Sequence, residues 1–359
     1  MKLVMIYSSL LLIGILFSQV FDFSAIRDVL NTLTMTSLAY IMIHVGLEFF
    51  IDKKNLKSYG WDYVVAMTAA AFPWIFCAAY FIFFFKTPLS EALLLGRFAA
   101  PTSAGVLFAM LVAAGLGATW FFKKVRILAI FDDLDTILLM IPLKMILVGF
   151  KPELIFIVFI MGILLWLAYK YLHVLRIPTG NFWIFFYGLV IVVLCELLEH
   201  STKAHLEVLL PAFVLGCVIY HAHNEKVSKI SAGFDQAVKG LFMLLVGCSL
   251  PKIVVGDMQP LTLAAHVMAL TVLSNLGKCF PSFCYRKEAP LKERVALSVA
   301  MFPRGEVGAG VLLVAVGYGF TGTATTVAGL SLALNLVLTA VFIQIVIRLM
   351  SQKVLRGDA

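Results

Sequence analysis

Residues 123–144 read K-K-V-R-I-L-A-I-F-D-D-L-D-T-I-L-L-M-I-P-L-K. Basic residues stand at the head of this stretch, and the apolar run behind them is long enough to cross a bilayer, which takes about 20 residues. Three acids, Asp132, Asp133 and Asp135, interrupt that run. An aspartate at the bilayer centre costs about 2.5–3.5 kcal/mol on insertion scales. Three together prevent stable insertion unless partners, water or a cation receive them. At about 100° per residue, Asp132 and Asp135 share nearly one helix face and Asp133 is displaced by about a quarter turn. Two adjacent carboxylates cannot both ionise cheaply in a low dielectric, so a proton or a cation must attend one of them.

The rest of the chain has the same solvent in view. Of 359 residues, 62% are hydrophobic and 13% charged, with mean hydropathy +1.00. Soluble domains are nearer half apolar and a quarter charged, so a soluble globular protein and a disordered one are both excluded. The net charge of +8 does not point to nucleic acid, because the basic residues fall in short clusters between apolar runs, the pattern that sets membrane topology. The six cysteines make neither a disulfide framework nor a C-x-x-C metal pattern and read as small buried side chains. Leu3 to Phe21 reads as a first span rather than a removed signal, since no A-x-A site follows it.

This predicts an all-α polytopic membrane protein of about twelve transmembrane helices, a single transporter domain over 1–359. The expected spans are 3–21, 29–51, 61–85, 89–114, 124–149, 152–172, 181–199, 206–222, 236–251, 260–284, 292–318 and 322–350. With the N-terminus on one side, that side collects 19 Lys and Arg, the opposite side five, and Arg97, Lys144, Lys278 and Arg304 fall within spans. Positive loops stay cytoplasmic, so both termini are expected there.

Two parts of the chain answer each other. Gly46, Pro101 and Asp133 are spaced by 55 and 32 residues; Gly247, Pro303 and Asn335 by 56 and 32. The sets lie seven spans apart, and an odd offset makes the two units cross in opposite directions, the sign of an inverted-topology repeat. Pro101 (A-A-P-T-S-A-G) and Pro303 (F-P-R-G-E-V-G) each break a span. Proline removes a backbone bond and clashes with the preceding turn, and irregular backbone at that depth is tolerated only inside protein or beside a wet cavity. A site is therefore expected between broken, crossing spans 4 and 11.

Other polar residues carry open readings. Lys278, in S-N-L-G-K-C-F-P, lies too deep in span 10 to snorkel; it either makes a packing pair with Asp132 or joins an ion site. Arg304 and Glu306 either brace the unwound segment as a local pair or meet an ion. Asp135 is a third site acid or lines an access funnel. Glu48 is explained by interfacial solvation as well as by function. Lys144, about 16 Å along the helix from Asp133, can snorkel to the far interface, and His221 and His223 read as solvated.

Together the paired aspartates, the A-P-T-S-A-G break, the G-L-E and G-C-S-L segments, the span-10 lysine and the P-R-G-E break resemble the cation:proton antiporter superfamily. The resemblance is to the two-aspartate branch of Kef-type and bacterial Na⁺/H⁺ antiporters and covers roughly residues 35–345. It implies a homodimer in the cell (inner) membrane, with a core bundle near 61–149 and 260–350 moving against a scaffold and dimerisation part near 1–60 and 152–251. It implies that Asp133 binds cation and proton, that Asp132 pairs with Lys278 and that Thr102 and Ser103 line the ion site; Arg304, Glu306 and Asn335 are expected to support the break. Asp135, Lys144 and the lack of a nucleotide-binding regulatory domain depart from the pattern.

The function expected is therefore secondary antiport of protons for a monovalent cation, Na⁺ before K⁺ or Li⁺, by alternating access. Proton and cation compete for Asp133, with no resident cofactor, no enzymatic activity and no nucleic acid as partner. A hard monovalent ion seeks oxygen ligands, which carboxylate, hydroxyls and carbonyls supply. The alternative is a Na⁺-coupled symporter of a small organic anion on a related inverted-repeat fold, with Arg304 as the anion's partner.

Overall fold

The computed structural model describes residues 2–48, 56–103, most of 107–143, 180–202, 208–223, 232–249 and 258–354. Among the described residues there are twelve α-helices and no strand. They are α1 (Lys2–Val20), α2 (Arg27–Glu48), α3 (Leu56–Phe85), α4 (Leu89–Gly96), α5 (Trp120–Leu138), α6 (Asn181–Thr202), α7 (Leu209–His223), α8 (Ala232–Ser249), α9 (Pro260–Gly277), α10 (Leu291–Ala300), α11 (Glu306–Gly317) and α12 (Thr323–Val354). Arg27–Leu47, Tyr59–Phe85, Pro260–Phe283 and Thr323–Met350 are long and apolar enough to cross a membrane. The chain is thus an integral membrane protein of the all-helical kind that its composition predicts. Span 6 (152–172) and Lys144 lie largely or wholly outside the described residues.

Several boundaries differ from the hydropathy reading. The helix carrying the three aspartates starts at Trp120, four residues early, and ends at Leu138. Helix resumes beyond the turn at Leu139, with the Leu143 N–H on the Leu139 carbonyl at 3.4 Å, while Pro142 has no N–H to bond back to Leu138. Hydropathy carries span 10 to 284, but α9 ends at Gly277 with Lys278 as its C-cap, followed by a 3-10 turn over Phe280–Phe283. Two things end it: Pro281 cannot continue a helix, and Gly277 lies against Pro73 of α3, where a Cβ would come within 2.4 Å of the proline nitrogen.

Glycine sets the closest helix crossings. A Cβ on Gly46 of α2 would lie 2.0 Å from the Phe213 carbonyl of α7, and one on Gly216 of α7 2.1 Å from the Ile43 carbonyl. Gly14 of α1 and Gly247 of α8 meet in the same way, with 2.3 and 2.4 Å to the opposing carbonyls. Backbones touch backbones here, the small-residue contact by which membrane helices associate when lipid offers no hydrophobic drive.

A second apolar cluster joins α3 (Val65), the segment after the first break (Leu107, Leu111), α5 (Phe121, Leu128), α10 (Ala296, Leu297) and α12 (Ile343). Its end is closed by charge. Lys124 at the start of α5 donates to both oxygens of Asp62 on α3, at 2.8 and 3.1 Å. The Tyr285 hydroxyl donates to Asp62 at 2.7 Å. Lys124 also lies 3.4 Å from Glu288, which accepts from Trp120 Nε1 at 3.2 Å. The topology count places Lys124 among loop charges; instead it is buried and paired. Burial and the neighbouring Asp62 push the Tyr285 phenol well above its ordinary pKa, so it stays a donor.

These contacts set the stability of individual variants. Gly46→Ala and Gly216→Ala each force backbone apart and should cost about 1–3 kcal/mol, read as an earlier melt in detergent. Gly60→Ala, with nothing within 4 Å of its Cβ, should not melt earlier. Lys124→Met strands a buried carboxylate, a loss of about 3–5 kcal/mol, whereas adding Asp62→Leu should recover most of it; thermal unfolding of the two variants checks the sign.

Candidate ion-binding site

Both proline-bearing segments leave the helical path. After α4 comes a single 3-10 turn, Arg97–Ala99, and the chain then runs non-helically through Ala100–Ser103. Helical bonding resumes with the Leu107 N–H donating to the Ser103 carbonyl at 3.3 Å. On the other side α10 ends at Ala300, Phe302–Gly305 is non-helical, and α11 starts at Glu306. The two open segments cross in contact: the Ser103 N–H donates to the Pro303 carbonyl at 2.9 Å. A Cβ on Gly305 would come within 2.5 Å of Ser103 Oγ.

Each interrupted helix leaves carbonyls without helical partners at a negative end. Lysine and arginine supply what is missing. The Lys278 ammonium donates to the Ala100 carbonyl and to Asp132 Oδ2, each at 2.5 Å, and to Thr102 Oγ1 at 3.2 Å. Its three N–H groups thus meet a helix end, a carboxylate and a hydroxyl. Thr102 passes the chain on, donating to Asp132 Oδ2 at 2.6 Å with the Met301 carbonyl 3.2 Å away. Arg304 serves the second break: Nη1 donates to the Met301 and Phe302 carbonyls at 2.9 and 2.7 Å, and Nη2 to the Ser274 carbonyl near the end of α9 at 3.0 Å.

The structure thus brings Asp132, Thr102, Ser103 and Lys278 together and buries all four. Asp133 is also fully buried, at 0% exposure, and does not face lipid. Asp132 Oδ1 accepts no hydrogen bond from the described residues, so a carboxylate oxygen remains to serve a cation beside two hydroxyls and the open carbonyls. Arg304 touches backbone carbonyls of the second break and of α9, whereas the sequence weighs a pair with Glu306 against an ion contact. The Glu306 and Glu48 side chains lie outside the described residues, as do those of His221 and His223.

Asn335 stands one layer away, its amide 3.3 Å from both Ser274 Oγ and Asn275 Oδ1. Asp135 is buried and accepts from the Tyr63 hydroxyl at 2.8 Å, which puts it against α3. Among the described residues no group of three or more His, Cys, Asp or Glu forms a multivalent metal site.

Several partners escape the sequence reading. That reading marks Arg97 only as lying in a span. It is 1% exposed, donates from Nη2 and Nε to the Asp135 and Thr136 carbonyls at 2.7 and 3.3 Å, and stacks 4.4 Å from the Trp74 ring centroid. Its signal is present in L-L-L-G-R-F, an arginine four residues before the breaking proline. Tyr63 and Ser274 carry no such signal, being ordinary residues in apolar helices.

The comparisons agree with this architecture. No curated protein shows a sequence match to the chain. Among solved structures, the sodium proton antiporter MjNhaP1 from Methanocaldococcus jannaschii at pH 8 superposes with TM-score 0.66, at 15% identity, over 96% of this chain and 92% of that one. An electron-microscopy map of the same antiporter gives TM-score 0.59, 15% identity, and 96% and 88% coverage. At that identity the likeness is one of fold. A family model described as "sodium/hydrogen exchanger, transmembrane" matches residues 5–353, nearly the whole length, and a chain with this match, two crossing broken helices and a buried aspartate pair belongs to the sodium/hydrogen exchanger family, which consists of transporters and not enzymes.

Proposed function

We propose that this protein exchanges protons for a monovalent cation, Na⁺ as the expected cargo, with Asp133 as the carboxyl for which the two compete. The observation that carries this reading is the buried aspartate pair at the crossing of α4's continuation with α10 and α11, one member of which is held by Lys278 and Thr102. Lys278 neutralises one carboxylate of the two. The adjacent one, equally buried, is where a proton or a metal ion balances the charge. The cation's oxygen ligands would come from Asp133, Asp132 Oδ1, the Thr102 and Ser103 hydroxyls and the unwound carbonyls. Competition for one site makes exchange depend on pH without a separate sensor.

We read the architecture as an inverted repeat. Gly14 and Gly216, Gly46 and Gly247, Pro101 and Pro303, and Asp133 and Asn335 are separated by 202, 201, 202 and 202 residues. Exchanging the members of each pair turns the α1–α8 contact into the α7–α2 contact, both of them glycine crossings. That is support from packing, independent of the proline spacing. On this reading residues 61–149 and 260–350 form the ion-carrying bundle, the remainder is scaffold and homodimer surface, both termini are cytoplasmic and the protein sits in the inner membrane. A bundle closed by the Asp62–Lys124–Tyr285 cluster is suited to moving as one piece. The symporter alternative is the weaker reading, because three of the five N–H groups of Arg304 already bond carbonyls and the guanidinium is fully buried.

Asp133→Asn should abolish cation-driven dequenching of a pH dye in proteoliposomes across Li⁺, Na⁺ and K⁺, while the variant still inserts and melts near the parent temperature. Exchange at the parent rate in that variant removes the mechanism. Lys278→Met should cost stability as well as transport, since it strands the Asp132 carboxylate and the Ala100 carbonyl, and a lowered melt separates it from the Asp133 effect.

A further inference from the structure

The described residues hold three fully buried Lys and Arg side chains, Arg97, Lys278 and Arg304, and the antiport reading uses only two. Lys278 and Arg304 meet the open ends at the crossing. Arg97 is aimed elsewhere. It sits in the 3-10 turn before the first break and turns its guanidinium to α5, where Nη2 and Nε take the consecutive carbonyls of Asp135 and Thr136 at 2.7 and 3.3 Å. Trp74 of α3 stacks on the guanidinium at 4.4 Å. That indole is fixed in turn, its Nε1 donating to the Leu93 carbonyl of α4 at 2.6 Å.

The two carbonyls belong to the last turn of α5, at the third acid and the residue after it. Thr136 also reaches back: its hydroxyl donates to the Asp132 carbonyl at 2.9 Å. The turn 132–136 is therefore held from both ends by one short piece of chain. Thr102 binds the Asp132 carboxylate at its start, and Arg97, five residues earlier in the chain, binds the peptides at its finish. Residues 97–102 are fastened by the break itself, through Lys278 on Ala100 and through Pro303 on the adjoining Ser103. Helical bonding runs on past this turn, with the Leu139 N–H on the Asp135 carbonyl at 3.0 Å, but Pro142 cannot bond back to Leu138, so the turn lies just before a gap in the ladder and Arg97 adds a second donor to its carbonyls.

We propose that Arg97 is a positioning residue for the ion-carrying turn. Through the Asp135 and Thr136 peptides it fixes the azimuth of Asp132 and Asp133 relative to the unwound segment, and so sets the geometry of the cation site through backbone instead of through the ion. A planar guanidinium can grip two successive carbonyls while stacked on an indole; an ammonium keeps the charge but lacks that rigid fork. The assignment rests on the antiport reading given above for what the turn carries.

The test measures exchange in proteoliposomes as a function of Na⁺ and of Li⁺ for the parent, Arg97→Lys, Trp74→Phe and Asp133→Asn. Loss of a group that orients ion ligands costs about 10–100-fold in metal affinity. Arg97→Lys should therefore raise the apparent KM for Na⁺ at least about tenfold, with Vmax changed much less and the Na⁺-to-Li⁺ KM ratio altered. Trp74→Phe keeps a ring under the guanidinium but loses the Leu93 bond, and should move KM the same way by a smaller factor; it carries the test if Arg97→Lys does not fold. Parent KM values and parent ion ratio in the folded variants overturn the positioning role, as does a fall in Vmax alone. Exchange that survives Asp133→Asn instead overturns the ion site, whereas exchange that needs Asp133 but ignores Arg97 and Trp74 sinks only the clamp.

Discussion

One ammonium group sits at the centre of this fold. Lys278 gives its three hydrogens to a carbonyl at the end of an interrupted helix, to a carboxylate and to a hydroxyl, all buried. Each acceptor is intolerable alone in a medium without water: an unsatisfied carbonyl costs several kcal/mol and an isolated carboxylate more. The lysine itself is as costly. Together they become a neutral knot, and the chain can break its helix at Pro101, carry an aspartate pair and end α9 early, all at one point. None of those three features stands without the other two. This is why the early end of α9 is structural: if the helix ran on to 284, Lys278 would be part of its continuing wall instead of its cap.

The outline of the molecule is legible in the sequence because membrane folds obey few rules. Apolar length and the alternation of basic loops follow from lipid thickness and topology, and the two prolines mark breaks because they fall inside spans. The Asp132–Lys278 partnership is legible as one of two readings, since a lysine too deep to snorkel needs an acid and this chain has three in one turn. What sequence does not convey is partnership with backbone. Arg304 is weighed there against Glu306 and against an ion, both of them discrete charges, yet it satisfies carbonyls; Arg97 escapes notice for the same reason. A carbonyl made needy by a helix end has no letter in the sequence. Lys124 misleads differently: a lysine beside another lysine at a span's head looks like a loop charge until Asp62, sixty-two residues earlier, is found against it.

The same chain uses two kinds of glue, and they do different work. Where α1 meets α8 and α2 meets α7, glycines let backbones touch. Such contacts are tight, apolar and indifferent to charge. Where α4, α5, α9 and α10 meet, the contacts are charged groups and hydroxyls on carbonyls, and their strength changes when a proton or an ion arrives nearby. If both halves were built from polar knots, every binding event would loosen the whole molecule. If both were built from glycine crossings, no binding event would be felt. The two kinds meet at the crossing, where Gly277 abuts Pro73 and Gly308 the Phe98 carbonyl, so on the antiport proposal an arriving proton or ion acts on the charged contacts against a frame of close backbone contacts that it leaves unchanged.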